Sequence, residues 1–181
     1  WLKCYYPVQF LTSVLNCMPM GFWNSAIVVG DAQRHGIVVL PVDVNLSEDC
    51  WRSDGTSIRM GFSAVAGFTK ERAKAAVEAR GNLPFVSLAD FYHRTQFSKR
   101  LIKNLIQAGG FDWTGKPRPE LIWKVKELDS TPDENPMNLP EDELQLPPLS
   151  NAEALKNEYR FTGVHLHGHP MEQYHRYRQQ Y

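Results

Sequence analysis

Val65-Ala66-Gly67-Phe68-Thr69-Lys70-Glu71-Arg72-Ala73 decides the fold. An apolar residue, a spacer, a glycine, a second apolar residue and a small residue lead straight into Ala-rich text from Lys70 to Arg80. That order predicts a tight turn feeding a helix, with Ala73 packed inward. A glycine turn of this kind exposes consecutive backbone N–H groups at a helix start, where the macrodipole adds partial positive charge. An anion can dock there, and Lys70 and Arg72 in the first turn add Coulomb attraction.

The pattern is that of a helix-hairpin-helix unit. One copy is a weak signal, because a glycine between two helices occurs in any αα-hairpin. A degenerate second copy strengthens it. Thr95-Gln96-Phe97-Ser98 followed by Lys99, Arg100 and Lys103 repeats turn plus basic helix about thirty residues on, without the glycine. Gly67, Phe68, Thr69, Lys70 and Arg72 form the first expected phosphate site; Ser98, Lys99, Arg100 and Lys103 form the second. Such contacts go to the phosphate backbone, not to base edges, so the binding they support is independent of sequence.

Outward from this pair the chain is mainly helical with a small β element. Pro7 opens a helix that runs from Tyr6 to about Cys17, with Val8, Leu11 and Leu15 on one face. Asn24 or Ser25 caps a second helix to His35, ended by Gly36. Ile37 to Leu40 reads as a buried strand, Asp43 to Gly55 as a polar loop, and Thr56 to Met60 as a strand pairing with the first. Ser87 caps a helix to Arg94, and Ser98 caps another to Ala108 that stops at Gly109-Gly110. A further helix spans Pro119 to Leu128. Asp129 to Ser150 is proline-rich and acidic and reads as an extended linker. Ser150 with Glu153 caps a last helix to Phe161. The expected organisation is 1–57, a helical part with a β element; 58–128, the paired hairpins; 129–150, the linker; and 151–181, a helix with a His- and Tyr-rich tail.

The 181 residues carry 20 basic and 20 acidic side chains, 43% apolar residues and no net charge. Disorder and fibrous repeats are excluded by this composition. No apolar run approaches the ~20 residues of a membrane span, so no membrane partner is expected. Neutrality at first argues against nucleic acid, yet it is a sum of unlike parts. Arg59 to Lys116 holds ten basic and four acidic residues, a surplus of +6, whereas Glu127 to Glu158 holds nine acids and one base, −8. Without the two turns, the basic segment reads equally well as a solvated surface.

Cys4, Cys17 and Cys50 are an odd set without C-x-x-C spacing, so they read as small buried apolar residues in a reducing, cytosolic setting. His165-x-His167-x-His169 alternates as on a strand, but a structural reading outweighs a metal site. Glu141-Asp142-Glu143 reads as a solvating tract. Trp51, Trp113 and Trp123 read as core, Trp123 above all. No nucleophile triad or phosphate-loop fingerprint is present. The abrupt, Met-less start at Trp1 is expected of a piece of a longer protein.

Four ordered stretches carry a family resemblance: Tyr5-Tyr6-Pro7-Val8-Gln9-Phe10, Asn16-Cys17-Met18-Pro19-Met20-Gly21-Phe22, Asp31-Ala32-Gln33-Arg34-His35-Gly36 and Leu40-Pro41-Val42-Asp43-Val44-Asn45. Leu105-Ile106-x-Ala108-Gly109-Gly110-Phe111-Asp112 and Tyr159-Arg160-x-Thr162-Gly163 come after them in the same order. Together they resemble the bacterial DNA polymerase III alpha subunit, its error-prone DnaE-type branch, from the end of the fingers onward. The resemblance implies a helical fingers tail, a tandem helix-hairpin-helix (SAM-like) domain gripping double-stranded DNA, and a helix leading to an OB domain. It implies a bacterial cytoplasmic, nucleoid-associated location, and partners such as a sliding clamp or other mutasome proteins. It also places the Mg²⁺-holding palm aspartates upstream, so no catalytic residue, metal site or cofactor is expected in this chain. Two departures weaken the first hairpin: the family usually has Lys where Ala66 stands and a second Gly where Thr69 stands. The alternative expectation is an interaction or spacer module within the polymerase assembly.

Overall fold

In the computed structural model, residues 1–128 and 149–168 are described. The elements run α1 (Leu2–Tyr5), α2 (Pro7–Asn16), α3 (Ser25–Arg34), β1 (Val38–Leu40), β2 (Arg52–Ser53), β3 (Ser57–Arg59), α4 (Lys70–Arg80), α5 (Leu88–Thr95), α6 (Lys99–Gln107), α7 (Arg118–Glu127) and α8 (Asn151–Thr162), with 3-10 turns at Phe62–Ala64 and Asp112–Thr114. The mainly helical reading with a small β element is borne out, and the two hairpins stand in tandem.

Pro7 sits at the start of α2, where its missing N–H leaves no bond unmade. Val8, Leu11, Thr12 and Leu15 are the buried face of that helix, and the Thr12 hydroxyl returns to the Val8 carbonyl at 2.8 Å. Asn24 caps α3 by accepting the Ile27 N–H at 3.0 Å, and Val28, Val29 and Ala32 face inward.

The sheet has the order β1-β3-β2. The two expected strands do pair, in parallel register with Val39 opposite Ile58. The polar loop holds a further strand, β2, antiparallel to β3 with Ser53 opposite Ile58. Asp54 fixes the turn between them. Its carboxylate accepts the N–H groups of Thr56 at 2.9 Å and Ser57 at 2.6 Å, and the Ser57 hydroxyl at 2.8 Å. Those bonds, led by the Ser57 N–H, hold its carboxyl well below the ordinary carboxylate range.

Two asparagines tie segments far apart in the chain. Asn16 exchanges both backbone bonds with Trp51, at 2.9 Å from the Trp51 N–H and 2.8 Å to its carbonyl. Asn45 does the same with Phe85, at 2.7 Å and 3.0 Å. Each amide stands in for a missing strand neighbour, so the irregular segments it touches are buried without orphaned polar groups.

The buried side chains form one cluster running from Val8 to Val164. At its centre Phe91 meets Phe85, Phe111 and Phe97 at centroid distances of 4.8, 5.3 and 6.0 Å. Helix α6 contributes Leu101, Ile102, Leu105 and Ile106 and packs against both α7 and α8. A Cβ on Gly110 would stand 2.8 Å from the Leu105 Cγ, so only glycine lets the chain turn that closely under α6.

Several expectations are corrected. Cys4, Cys17 and Cys50 are all exposed. Cys4 lies on α1, which buries nothing, and Cys17 comes after α2, beyond its apolar face. Trp51 is core at 5% exposure, but Trp113 and Trp123 are 40% and 45% exposed. Leu121 and Val125 supply the buried face of α7, so Trp123 between them points outward, with the Lys126 ammonium 4.6 Å from its ring centroid. His165 and His167 lie outside any strand. His165 stacks on Tyr159 at 4.5 Å, while His167 Nδ1 lies 3.1 Å from the Glu158 carboxylate. His169, the acidic tract 141–143 and most of the expected linker lie outside the described residues.

Candidate nucleic-acid interface

The first hairpin runs from the 3-10 turn at Phe62 through Val65–Thr69 into α4. Gly67 has φ +93°, a left-handed conformation. A Cβ there would lie 3.2 Å from Leu101 Cδ1 and 3.3 Å from Asn104 Nδ2. The backbone angle favours glycine, and a side chain there would press on Leu101 and Asn104. Thr69 is the N-cap of α4, its hydroxyl accepting the Arg72 N–H at 3.3 Å.

The second hairpin matches it position by position. Gln96 takes the place of Gly67 at φ +53°, the one non-glycine residue with positive φ among those described. Its own amide donates to the His93 carbonyl at 2.8 Å. Phe97 corresponds to Phe68, and Ser98 to Thr69 as N-cap, accepting the Leu101 N–H at 3.4 Å. Lys99 corresponds to Lys70. The repeat is thus a left-handed residue, Phe, a hydroxyl cap and Lys, with the second copy offset from the first by twenty-nine positions. The degenerate turn keeps its backbone shape because a polar side chain braces the left-handed position.

The two phenylalanines hold the hairpins together. Phe68 stacks on Phe62 at 5.6 Å and meets Phe97 edge-on at 5.7 Å. Phe68 is 8% exposed, and its N–H is taken by the Val65 carbonyl at 3.0 Å. It therefore shapes the loop from inside and presents no group to an anion. Further ties come from α8 and α6: the Phe161 carbonyl accepts the Ala66 N–H at 2.7 Å, and Asn104 of α6 donates to the Ala66 carbonyl at 2.8 Å.

The cations divide into engaged and outward-facing groups. Arg94 donates to the Ala79, Arg80 and Leu83 carbonyls at 2.6, 2.7 and 3.0 Å, closing the end of α4. Arg80 donates to the Ser47 carbonyl at 2.6 Å. Lys116 and Lys124 both pair with Glu120, at 3.5 and 3.0 Å. The Lys99 ammonium donates to the Lys126 carbonyl at the end of α7, at 2.9 Å. Arg72 folds back to the Gly67 carbonyl at 3.0 Å, yet remains exposed. Lys70, Arg72 and Arg100 are exposed and Lys103 is half-buried. Lys74, one turn beyond Lys70, is exposed as well. The turn pattern alone does not single it out, although its i, i+4 spacing from Lys70 marks the same face.

The two helix starts differ electrostatically. The first turn of α6 has no acid, whereas that of α4 contains Glu71. The Thr69 hydroxyl, Glu71's own N–H and the ammoniums of Lys74 and Lys70 hold the Glu71 carboxyl below the ordinary carboxylate range. The first hairpin thus carries an anion of its own at the place where a phosphate is expected; the second does not. Among the described residues no cluster of three or more His, Cys, Asp or Glu side chains is arranged to hold a metal ion, and no helix is long and apolar enough to cross a membrane.

Comparison with known proteins agrees with this geometry. Residues 36–121 match the family model of the helix-hairpin-helix motif. The chain is 32% identical to proteins named Error-prone DNA polymerase from Anaeromyxobacter sp. (strain K) and Teredinibacter turnerae, and 33% identical to one from Rhodopirellula baltica. Each match takes in 94% of this chain and 16–17% of the relative. The chain spans about one-sixth of the length of these curated relatives. The resemblance read from the sequence is borne out: nearly the whole chain aligns with a segment of proteins named Error-prone DNA polymerase.

Proposed function

We propose that this chain, as a segment of an error-prone DNA polymerase, grips double-stranded DNA through its phosphate backbone without reading base sequence. The observation that carries the reading is the repeated helix start. Thr69 and Ser98 cap two helices whose first two turns carry Lys70, Arg72, Arg100 and Lys103, and the Phe68–Phe97 contact keeps the two together. Backbone N–H groups at such starts favour anions, and the side-chain cations add counterion release.

The two contacts are unequal in this reading. The α6 start is the stronger, because nothing acidic shares its first turn, while Glu71 competes with phosphate at α4. The task assigned to this segment is to hold DNA. Nucleotidyl transfer in the whole polymerase, its Mg²⁺-binding palm carboxylates and its DnaE-type identity follow from the resemblance, as does a bacterial cytoplasmic location. A clamp or other mutasome partner would fall to the acidic linker, outside the described residues.

The test is an anisotropy titration of the 181-residue chain with a labelled blunt duplex of arbitrary sequence. Binding is expected to weaken steeply with salt and to be equal for duplexes of unrelated sequence. Arg100→Glu with Lys103→Glu is expected to abolish it while leaving the helical circular-dichroism signal and melting intact. Binding that ignores salt, or that survives this double reversal, would refute the reading.

A further inference from the structure

Beside the first hairpin lies an open groove of about 1110 Å³. One wall is the turn between α2 and α3, where Trp23 returns its N–H to the Met20 carbonyl at 3.3 Å and leaves Gly21 and Phe22 at the tip. Phe22 is 97% exposed and Trp23 56%. The start of α4 also lines it, with Lys70 and Lys74 exposed. Leu15 and Trp51 supply buried apolar surface at the floor.

We infer that this groove takes single-stranded DNA continuous with the gripped duplex, its bases stacking on Phe22 and Trp23 and its phosphates running along Lys70 and Lys74. Two aromatic rings and two ammoniums lining one groove supply what a strand of alternating π-faces and phosphates requires. Among the described residues Asp49 is the one acidic side chain in the lining, and its Oδ1 is engaged by the Cys50 N–H at 3.0 Å. Two ammoniums against one carboxylate leave the lining with a net positive charge. The groove, at about 1110 Å³, is at the upper end of ordinary small-molecule pockets, roughly 300–1,000 Å³, which leaves room for more than one base. It is also continuous with the hairpin through Lys70, so a strand leaving the duplex enters it directly.

The inference rests on the duplex reading above, and the experiment separates the two. The full chain is titrated with a blunt duplex, with the same duplex carrying a single-stranded dT overhang, and with oligo(dT) alone, following both anisotropy and tryptophan emission. The overhang is expected to tighten binding roughly tenfold or more, in line with stacking of one or two bases. Phe22→Ala with Trp23→Ala is expected to remove that gain and leave blunt-duplex affinity unchanged. Oligo(dT) is expected to quench emission, and Trp23→Phe to remove most of the quench. If the overhang gives no gain, or the gain and the quench survive the double variant, the groove does not hold single strands. A groove built for a protein partner gives that same null result. Failure of blunt-duplex binding alone would strike the hairpin reading, while loss of the oligo(dT) quench in Trp23→Phe would still stand for the groove.

Discussion

The salt dependence of duplex binding measures which cations touch phosphate. Four outward-facing cations flank the two hairpin starts: Lys70, Arg72, Arg100 and Lys103. If each neutralises one phosphate, log K falls against log salt with a slope of about −3.6. Affinity should then drop about 150-fold between about 50 and 200 mM monovalent salt. Replacing Arg100 and Lys103 by alanine halves the expected slope, to about −1.8, and the same salt step then costs only about twelvefold. Lys116→Ala with Lys124→Ala is the control. Both ammoniums are committed to Glu120 at 3.5 and 3.0 Å, so the slope should stay at its original value. Anisotropy titrations at four salt concentrations give each slope directly. A slope unchanged in the Arg100/Lys103 variant, or lowered equally in the Lys116/Lys124 control, would show that the phosphates lie elsewhere.

Other expectations concern stability. Ser98→Ala removes the α6 cap and should cost about 1 kcal/mol in denaturant unfolding, and Ser98→Gly should cost less. Phe91→Ala empties the centre of the ring cluster, where Phe91 is fully buried, and should cost roughly 3–5 kcal/mol; a loss near 1 kcal/mol would mean the rings collapse into the space. The His167 imidazole is held above its ordinary pKa by its bond to Glu158. A raised folded pKa gives stabilisation fully present below pH ~6.5 and lost as pH rises through the higher folded value. Melting temperature should therefore fall across that window, and Glu158→Gln should flatten the fall. Glu71→Gln should tighten duplex binding by removing the resident anion at α4; unchanged affinity would mean that phosphate never approaches that helix start.

Much of this architecture is written in caps. Asn24, Ser87, Ser98 and Ser150 are each readable as helix starts because a short polar side chain before an apolar period has few other uses. All four accept the expected backbone N–H, and Ser150 with Glu153 closes a reciprocal box. The two residues of β2 lie hidden in a polar loop, since a strand that short has no period to read. Their place depends on Asp54 turning the chain. The parallel register of β1 and β3 depends on what lies between them, which local pattern does not record. Charge totals locate the basic segment but not its use. Arg80, Arg94 and Lys99 look like surface cations in the sequence, yet each bonds to carbonyls, an assignment visible only when the ends of α4 and α7 are in place. Gln96 is obscure for a related reason. Its left-handed backbone is braced by its own amide on the His93 carbonyl, a bond the sequence does not reveal.

The Phe68–Phe97 contact has a consequence for what the hairpins can measure. If both helix starts hold phosphate, pinning them to one another makes a caliper with a fixed opening. Such a device is blind to the order of bases but not to the spacing of the strands. It should accept any regular B-form duplex equally and grip more weakly where the backbone separation is altered, as in an A-form RNA duplex. Comparing the two duplexes at one salt concentration would reveal whether the jaws are rigid.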